Sequence, residues 1–395
     1  MKRMCDICQS KVVNHIYNQK FVIMGNKLAH LDYQIVACQK CKFIFTINPF
    51  SEDKLANFYK ANNKYAYRAN LGVIPEYAKN NHLISFEFVN SYLLKKYSKM
   101  NAKKLKIIDI GCGSGYLLNL FKQNGYTNVQ GVDPAIECKE NARMLYDLDI
   151  ITSTLGELRS NRKYDVILLA SVLEHMTNLS NVMKKLRLLL KPNGVIFIST
   201  PDLDNFETVL IEPFLEFSLE HINFFGKNST SNLFIKHGFK NVSFESNFIK
   251  GYGGFALNSL WEKHNIMTTK FDIQLISDDE SKIKKYVQMS KLKLKVIDKI
   301  ITKLIKNHEP IVIWGVGSLT SRLLATTNLQ KTNILFFVDS NPLLQTTKIN
   351  QIPILPSNRL KGNETILISS YSHAEEIKQI LIKDRHHAGK IITLN

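Results

Sequence analysis

The stretch Leu105–Gly115, LKIIDIGCGSG, constrains this chain more than any other. Lys106 to Ile110 is a short β-branched apolar run of the kind that forms a buried strand, and glycines at 111, 113 and 115 end it. Tyr116–Lys122 then repeats apolar residues at helical spacing, with Leu117, Leu118 and Phe121 on one face. Strand, glycine turn and helix in that order bring backbone close to a ligand at a helix N-terminus whose N–H groups are unpaired. A nucleotide-type pocket is the expectation. It differs from the dinucleotide pattern G-x-G-x-x-G, because Asp109 stands inside the strand, where an anionic pyrophosphate would be repelled. A zwitterion with an amino group suits that acid better.

A second strand is expected at Val129–Val132. It closes on Asp133 and Pro134, 24 positions after Asp109, where a carboxylate can take two ribose hydroxyls. Leu155 falls where a third strand would end. Tyr164–Ala170 (YDVILLA) reads as a fourth strand followed by Ser171, Leu186–Pro192 closes a helix, and Gly194–Thr200 is the next strand. This order resembles the class I S-adenosylmethionine-dependent methyltransferases, whose acid-Gly-x-Gly-x-Gly run matches Asp109–Gly115 and whose acid-ended strand matches Gly131–Pro134. The resemblance implies a Rossmann-like α/β domain. It also implies that adenosylmethionine is bound by Asp109, Gly111, Gly113, Gly115, Asp133, Pro134, Leu155, Ala170 and Ser171.

At 395 residues the chain should hold two or three domains. Hydrophobic residues make up 45% and charged ones 22%, a globular balance. No stretch has the length of uncharged apolar residues that a membrane span needs, and the start MKRMCDICQS lacks an apolar leader, so a cytoplasmic protein is expected. The net charge of +18 invites a nucleic-acid partner. Against that partner, the lysines are scattered among Ile and Asn, and the densest cluster, Lys282–Lys306, fits the solvated face of one long helix. A nucleotide-linked small molecule would welcome the same potential.

Cys5-x-x-Cys8 and Cys38-x-x-Cys41, with 29 residues between the pairs, can converge four thiolates on one tetrahedral ion, and zinc is the usual occupant. Four thiolates leave no open position, so the ion would be structural. Strand-like pieces at Lys20–Met24 and Tyr33–Ala37 lie between the pairs, and His15 and His30 read as surface residues. Asn48–Tyr67 turns helical around Leu55, Phe58 and Tyr59 and ends in the aromatic patch of Tyr65 and Tyr67, which either folds over an active site or packs between domains. Lys79–Tyr97 is an amphipathic helix.

Two histidines are candidate bases. His175 follows the fourth strand at the carboxyl edge, where open α/β sheets bind ligands, and either acts on a proton or supports the cofactor pocket. Glu220-His221 lies in FSLEHINFF, Phe217–Phe225, on the substrate side; an aromatic surface turn is the alternative reading. The helix Ser229–His237 follows.

An uninterrupted helical pattern runs from Ser277 to Asn307, with Ile283, Val287, Val296, Ile300 and Leu304 in its stripe. It leads to a second α/β layer that opens at Ile311–Ser318, IVIWGVGS, and continues through a helix Leu319–Thr326, a strand Ile334–Val338 ending at Asp339, a strand Thr365–Ser369, a helix Ala374–Lys383 and a strand Ile391–Leu394. Its loop lacks the third glycine of an NAD site, with Thr320 in that place. The order of modules resembles the three-domain sugar C-methyltransferases that act on nucleotide-linked deoxysugars, on the match of the four cysteines, Tyr65, Tyr67, the glycine loop and Glu-His-x-x-x-Phe at Glu220–Phe225. That family implies an N-terminal zinc module, a central methyltransferase domain and a C-terminal second Rossmann-like domain, here residues 1–60, 61–265 and 309–395 with a linking helix at 266–308. It further implies His221 as the base and Tyr65 or Tyr67 as orienting groups. The run Leu319–Leu324 departs from the family's usual Thr-Leu-Leu-Asn, so methylation of carbon or of oxygen both stay open. A zinc-containing RNA methyltransferase and a non-catalytic adenosylmethionine or NAD sensor are the competing expectations.

Overall fold

The computed structural model describes residues 3–22, 33–61, 74–264, 278–342 and 344–394. Its chain divides into two compact units. The first comprises Met1–Ile16, Ile35–Thr208 and Glu220–Ile283; the second comprises Tyr17–Gln34, Val209–Leu219 and Lys284–Asn395.

The first unit is built on a seven-stranded sheet in the order Phe239–Ile249, Gly254–Lys263, Leu190–Pro201, Tyr164–Ala170, Lys106–Ile110, Asn128–Asp133, Ile150–Thr152. The last five are parallel, and the first two add an antiparallel edge. Central strands bury both faces, as parallel sheets do. Ile108, Ile110, Ile167, Leu169, Ile196 and Ile198 go to one apolar core, while Ile107, Val166, Leu168, Val195 and Phe197 go to the other. Period-two alternation thus splits each strand between two cores. Lys106–Ile110 pairs with Asn128–Asp133 on one side and Tyr164–Ala170 on the other, so the strand order reverses beside it. The crevice at such a reversal is where open α/β sheets hold ligands.

Helices form at Glu76–Lys96, Tyr116–Gln123, Ile136–Tyr146 and Leu179–Leu189; in the first, Phe86, Val89 and Leu93 are buried, whereas Leu83 and Leu94, which helical spacing also placed in its apolar stripe, are exposed. The last of these ends at Leu189, and the strand that was expected at Gly194 already begins at Leu190. Gly194 is held there because a Cβ would come within 2.7 Å of the Leu190 side chain. In the N-terminal portion a four-stranded sheet runs Val13–Gln19, Tyr33–Cys38, Ile44–Thr46, Asn223–Phe224. Its first strand is Val13–Gln19; of the strand expected at Lys20–Met24, residues 20–22 lie outside any strand and residues 23 and 24 lie outside the described residues.

The second unit holds a six-stranded sheet in the order Lys348–Ile349, Ile352–Leu355, Asn333–Val338, Pro310–Trp314, Thr365–Ile368, Ile391–Thr393, parallel except for its first pair. The helix Asp279–Lys306 presents Ile297, Ile301 and Leu304 to this core, and Val296, expected in the stripe, is 55% exposed. Ile297 and Ile301 are buried in place of the expected Val296 and Ile300, while Ile283, Val287 and Leu304 are buried as expected. Among the described residues, no helix is long and apolar enough to cross a membrane.

His237 caps the helix Lys227–Lys236, and burial, followed by Lys236 and Lys184, pushes its imidazole down to about 4. An unfolded histidine titrates near ~6.5. The unfolded chain therefore binds the proton first, and the stability this group contributes is complete above about pH 6.5 and lost as pH falls toward 4. His237→Gln should flatten the decline in urea midpoint between pH 6.5 and 4 relative to the native chain.

Candidate functional site

Gly111, Gly113 and Gly115 adopt φ of +71°, +52° and +83°, and Gly115 forms the N-terminal boundary of the helix Tyr116–Gln123. A Cβ on Gly111 would lie 2.7 Å from Val172 Cγ2, so the loop can pass the edge of the fourth strand only as glycine. Asp133 closes this loop. Its Oδ2 accepts from the Gly113 N–H at 2.9 Å and its Oδ1 from the Ala135 N–H at 3.0 Å. The second strand includes Asp133 and Pro134 follows it, so the acid stands at the carboxyl edge beside the glycines.

Asp109 is 2% exposed, and its Oδ1 has no hydrogen-bond partner among the described residues. Burial, and then the charge of Asp133, hold its carboxyl well above the usual range; burial also raises Asp133 against the two backbone N–H groups that favour its charged form. Two buried acids that disfavour each other's charge, one with an orphaned oxygen, fit a ligand bearing positive charge. S-Adenosylmethionine, with its ammonium and sulfonium, is such a ligand, and the glycine cradle leaves room for close approach. Leu155 is buried just beyond the third strand, Ala170 ends the fourth, and Ser171 takes a left-handed φ of +58°.

On the same carboxyl edge lies a cluster of acids and imidazoles. The short helical turn Leu173–His175 carries Glu174 and His175, and Glu220-His221 arrives from far along the chain. The His175 and His221 rings are 5.0 Å apart between centroids. His175 Nδ1 is 2.9 Å from the Glu220 carbonyl oxygen, so that nitrogen must carry the proton. Its Nε2 lies 3.9 Å from Glu174 Oε1, and Glu174 is 1% exposed. Ligand atoms of Glu174, His175 and His221 all fall within 4.8 Å of one another, a set that could share a proton or hold a cation. Tyr59 sits edge-on to His175 at 6.1 Å, and its hydroxyl is held well above its ordinary value by burial and then by Glu220 and Glu174. It stays protonated beside two carboxyl groups.

The two expected bases are thus brought together. Glu174 and Tyr59 were missed as site residues, although the Glu-His dipeptide at 174–175 and the helical register of Tyr59 were both visible. Tyr65 and Tyr67 lie outside the described residues.

Cys5, Cys8, Cys38 and Cys41 also converge. Cys5 and Cys41 sulfurs are 3.4 Å apart and those of Cys8 and Cys38 3.3 Å, with all four within 4.8 Å and none in a disulfide. A tetrahedral ion at ~2.3 Å from each sulfur would space them by about 3.8 Å. The fit is close. Both knuckles end alike, with Gln9 N–H donating to Cys5 O and Lys42 N–H to Cys38 O, and with Gln9 and Lys42 at φ of +62° and +63°. His15 is not among the clustered ligands, and His30 lies outside the described residues.

This cysteine module grips the segment that bears His221. Ile44–Thr46 pairs with Asn223–Phe224, Thr46 N–H donates to Ile222 O, and Arg3 donates through Nη1 to Ile222 O and through Nη2 to Asn223 Oδ1. Asn223 Nδ2 in turn donates to the carbonyls of Leu173 and Met176, at 3.1 and 2.8 Å. One side chain therefore ties the two halves of the histidine cluster.

The sheet order, the reversal beside Lys106–Ile110, the glycine loop and the acid-ended second strand define a class I S-adenosylmethionine-dependent methyltransferase domain. Residues 85–244 match the model of a family described as a methyltransferase domain, and residues 307–392 match that of a family described as C2185-like, N-terminal. Over 123 residues the chain is 31% identical to the ubiquinone biosynthesis O-methyltransferase of Rickettsia canadensis (strain McKiel), covering 30% of this chain and 50% of that protein. It is 37% identical over 126 residues to the mitochondrial ubiquinone biosynthesis O-methyltransferase of Arabidopsis thaliana, covering 29% of this chain and 39% of that one. The chain spans half or less of the length of these curated relatives. The solved structure of the Burkholderia thailandensis 1,6-didemethyltoxoflavin-N1-methyltransferase is similar over 60% of this chain and 98% of that chain, at 14% identity and a TM-score of 0.41.

Cys38→Ser should lower the thermal midpoint and release bound metal, read by calorimetry and elemental analysis. Because the module braces Ile222 and Asn223, turnover should fall with it; an unaltered midpoint would mean that the four sulfurs hold no ion.

Proposed function

We propose that this chain transfers a methyl group from S-adenosylmethionine to a nucleotide-linked sugar or related polar saccharide precursor, with His221 as the general base and a structural zinc ion on the four cysteines. The observation that carries the reading is the meeting of Glu174, His175 and His221 on the carboxyl edge of the sheet that also bears the glycine loop. Adenosylmethionine, when bound, supplies an activated methyl on a good leaving group. The residues then have to align the acceptor and remove one proton. His221 takes that proton from the acceptor. His175, its Nδ1 proton committed to the Glu220 carbonyl, presents Nε2 toward the Glu174 carboxylate and steadies the charge that develops on the pair.

The acceptor atom is open between carbon and oxygen. Oxygen is favoured by the similarity to proteins named as O-methyltransferases. A phenolic hydroxyl is the second acceptor class, taken up because those relatives are named for O-methylation in ubiquinone biosynthesis. The sugar reading draws on the four cysteines together with Glu-His-x-x-x-Phe, two features that the fold brings into direct contact through Ile44–Thr46 and Asn223–Phe224. Assays with labelled adenosylmethionine against sugar nucleotides bearing keto or free hydroxyl groups, against hydroxylated phenols and against folded RNA distinguish these readings. Label in the phenols alone would overturn the sugar, and the absence of adenosylhomocysteine release with any acceptor would overturn the enzyme.

Two substitutions test the roles. Asp133→Ala should weaken adenosylhomocysteine binding by ~1–3 kcal/mol, read by calorimetry, through loss of hydrogen bonds to the ribose and to the loop. His221→Ala should slow turnover by ~10²–10⁴ with cofactor affinity little changed; a loss of only a few-fold would place the base elsewhere.

A further inference from the structure

Glu174 and His175 are neighbours on the short helical turn Leu173–His175, and His221 comes from a separate stretch of the same compact unit. One ligand atom from each lies within 4.8 Å of the other two. Their chemistry is unlike that of the cysteine site. Two imidazoles and one carboxylate make a borderline donor set that suits zinc and its neighbours in the first transition row, whereas magnesium and calcium take oxygen ligands.

The cluster has further features of a metal site. The Nδ1–H of His175 donates to the Glu220 carbonyl at 2.9 Å, which leaves the lone pair of that ring on Nε2, 3.9 Å from Glu174 Oε1. A hydrogen bond on the far nitrogen is the usual means by which an imidazole ligand is oriented. Glu174 is 1% exposed, and carboxylates so deeply buried are paired or coordinate metals. Both backbones are also tied together, because Ile222 N–H donates to Glu174 O at 2.9 Å and Asn223 Nδ2 donates to the carbonyls of Leu173 and Met176. The ligands are therefore gathered before any ion arrives. An ion ~2.0–2.1 Å from each ligand atom would set them about 3.3 Å apart, so the cluster has to contract, the Glu174–His175 pair by roughly half an ångström. Side-chain rotation supplies that.

We propose that Glu174, His175 and His221 form a second metal site, for a divalent ion of the zinc type with an open fourth position, and that this ion switches methyl transfer off. Ligation uses the lone pair with which His221 would accept the proton of the methyl acceptor, so the ion and that proton exclude one another. The binding rests on the cluster alone. The inhibition rests also on His221 being the base.

For the test, the full chain carrying one equivalent of zinc on its cysteines is titrated with cobalt(II). One further equivalent should bind, with the weak visible absorption of nitrogen and oxygen ligands and without the near-ultraviolet charge transfer that cobalt on thiolates shows. Glu174→Gln should weaken this second binding about a hundredfold or more, since even an outer partner of a metal ligand is worth ~10–100-fold, and should leave the first equivalent of zinc in place. His221→Asn should do the same, and it carries the test should Glu174→Gln fail to fold. With the best acceptor found, a second equivalent of zinc should lower native turnover about tenfold or more, and a chelator too weak to strip the cysteines should restore it. No second equivalent, or one that both variants bind as tightly as the native chain, would overturn the site. A second ion that both variants lose but that leaves native turnover whole would instead overturn the switch and retire His221 as the base.

Discussion

The central sheet depends on a carboxylate that accepts two backbone N–H groups. Asp133 binds the N–H of Gly113 and of Ala135, and so locks the glycine loop to the end of the neighbouring strand. Hydrogen bonds to a charged acceptor are each worth about 1.5–3 kcal/mol, enough to hold three left-handed glycines in place. The second sheet repeats the device, with Asp339 accepting from Val316 N–H and Asn341 N–H. In the first sheet the loop serves electrostatics as well. Asp109 stands behind it, buried and raised by Asp133, and a positively charged ligand would relieve both acids at once.

From that loop the edge of the sheet extends to the histidines, and there the organising contact is Asn223. Its amide donates to carbonyls on either side of the turn bearing Glu174 and His175, while its own strand pairs with the cysteine module. The module therefore braces the chain next to His221. The cysteine cluster and the histidine cluster are thus joined by a backbone ladder.

Much of this was legible in the chain. The strands around Asp109, Asp133 and Ala170 are short β-branched runs punctuated by glycine or an acid, and such runs have few alternatives. The cysteine pairs were equally plain, because tetrahedral thiolate sites recur at that spacing. Other features were hidden for physical reasons. The antiparallel pair Phe239–Ile249 and Gly254–Lys263 carries polar residues such as Asn258 and Ser259 at buried positions, which blurs its alternation. Two positions in the stripe of the long helix slipped by one residue because Val296 and Ile297, like Ile300 and Ile301, are equally apolar, and only packing could choose between them.

Spacing along the chain determined the glycine loop, the acid after the second strand and the four-sulfur site, since each is set by residues near one another or by a chemistry with few solutions. It also marked His175 and His221 as separate candidates. That they meet, and that Glu174 and Tyr59 join them, was decided by the fold, because residues 45 positions apart come within hydrogen-bonding reach only when strand order and the Asn223 contacts bring their backbones together. The recruitment of residues 209–219 into the second unit was settled in the same way, by a buried guanidinium whose acceptors lie more than a hundred residues away along the chain.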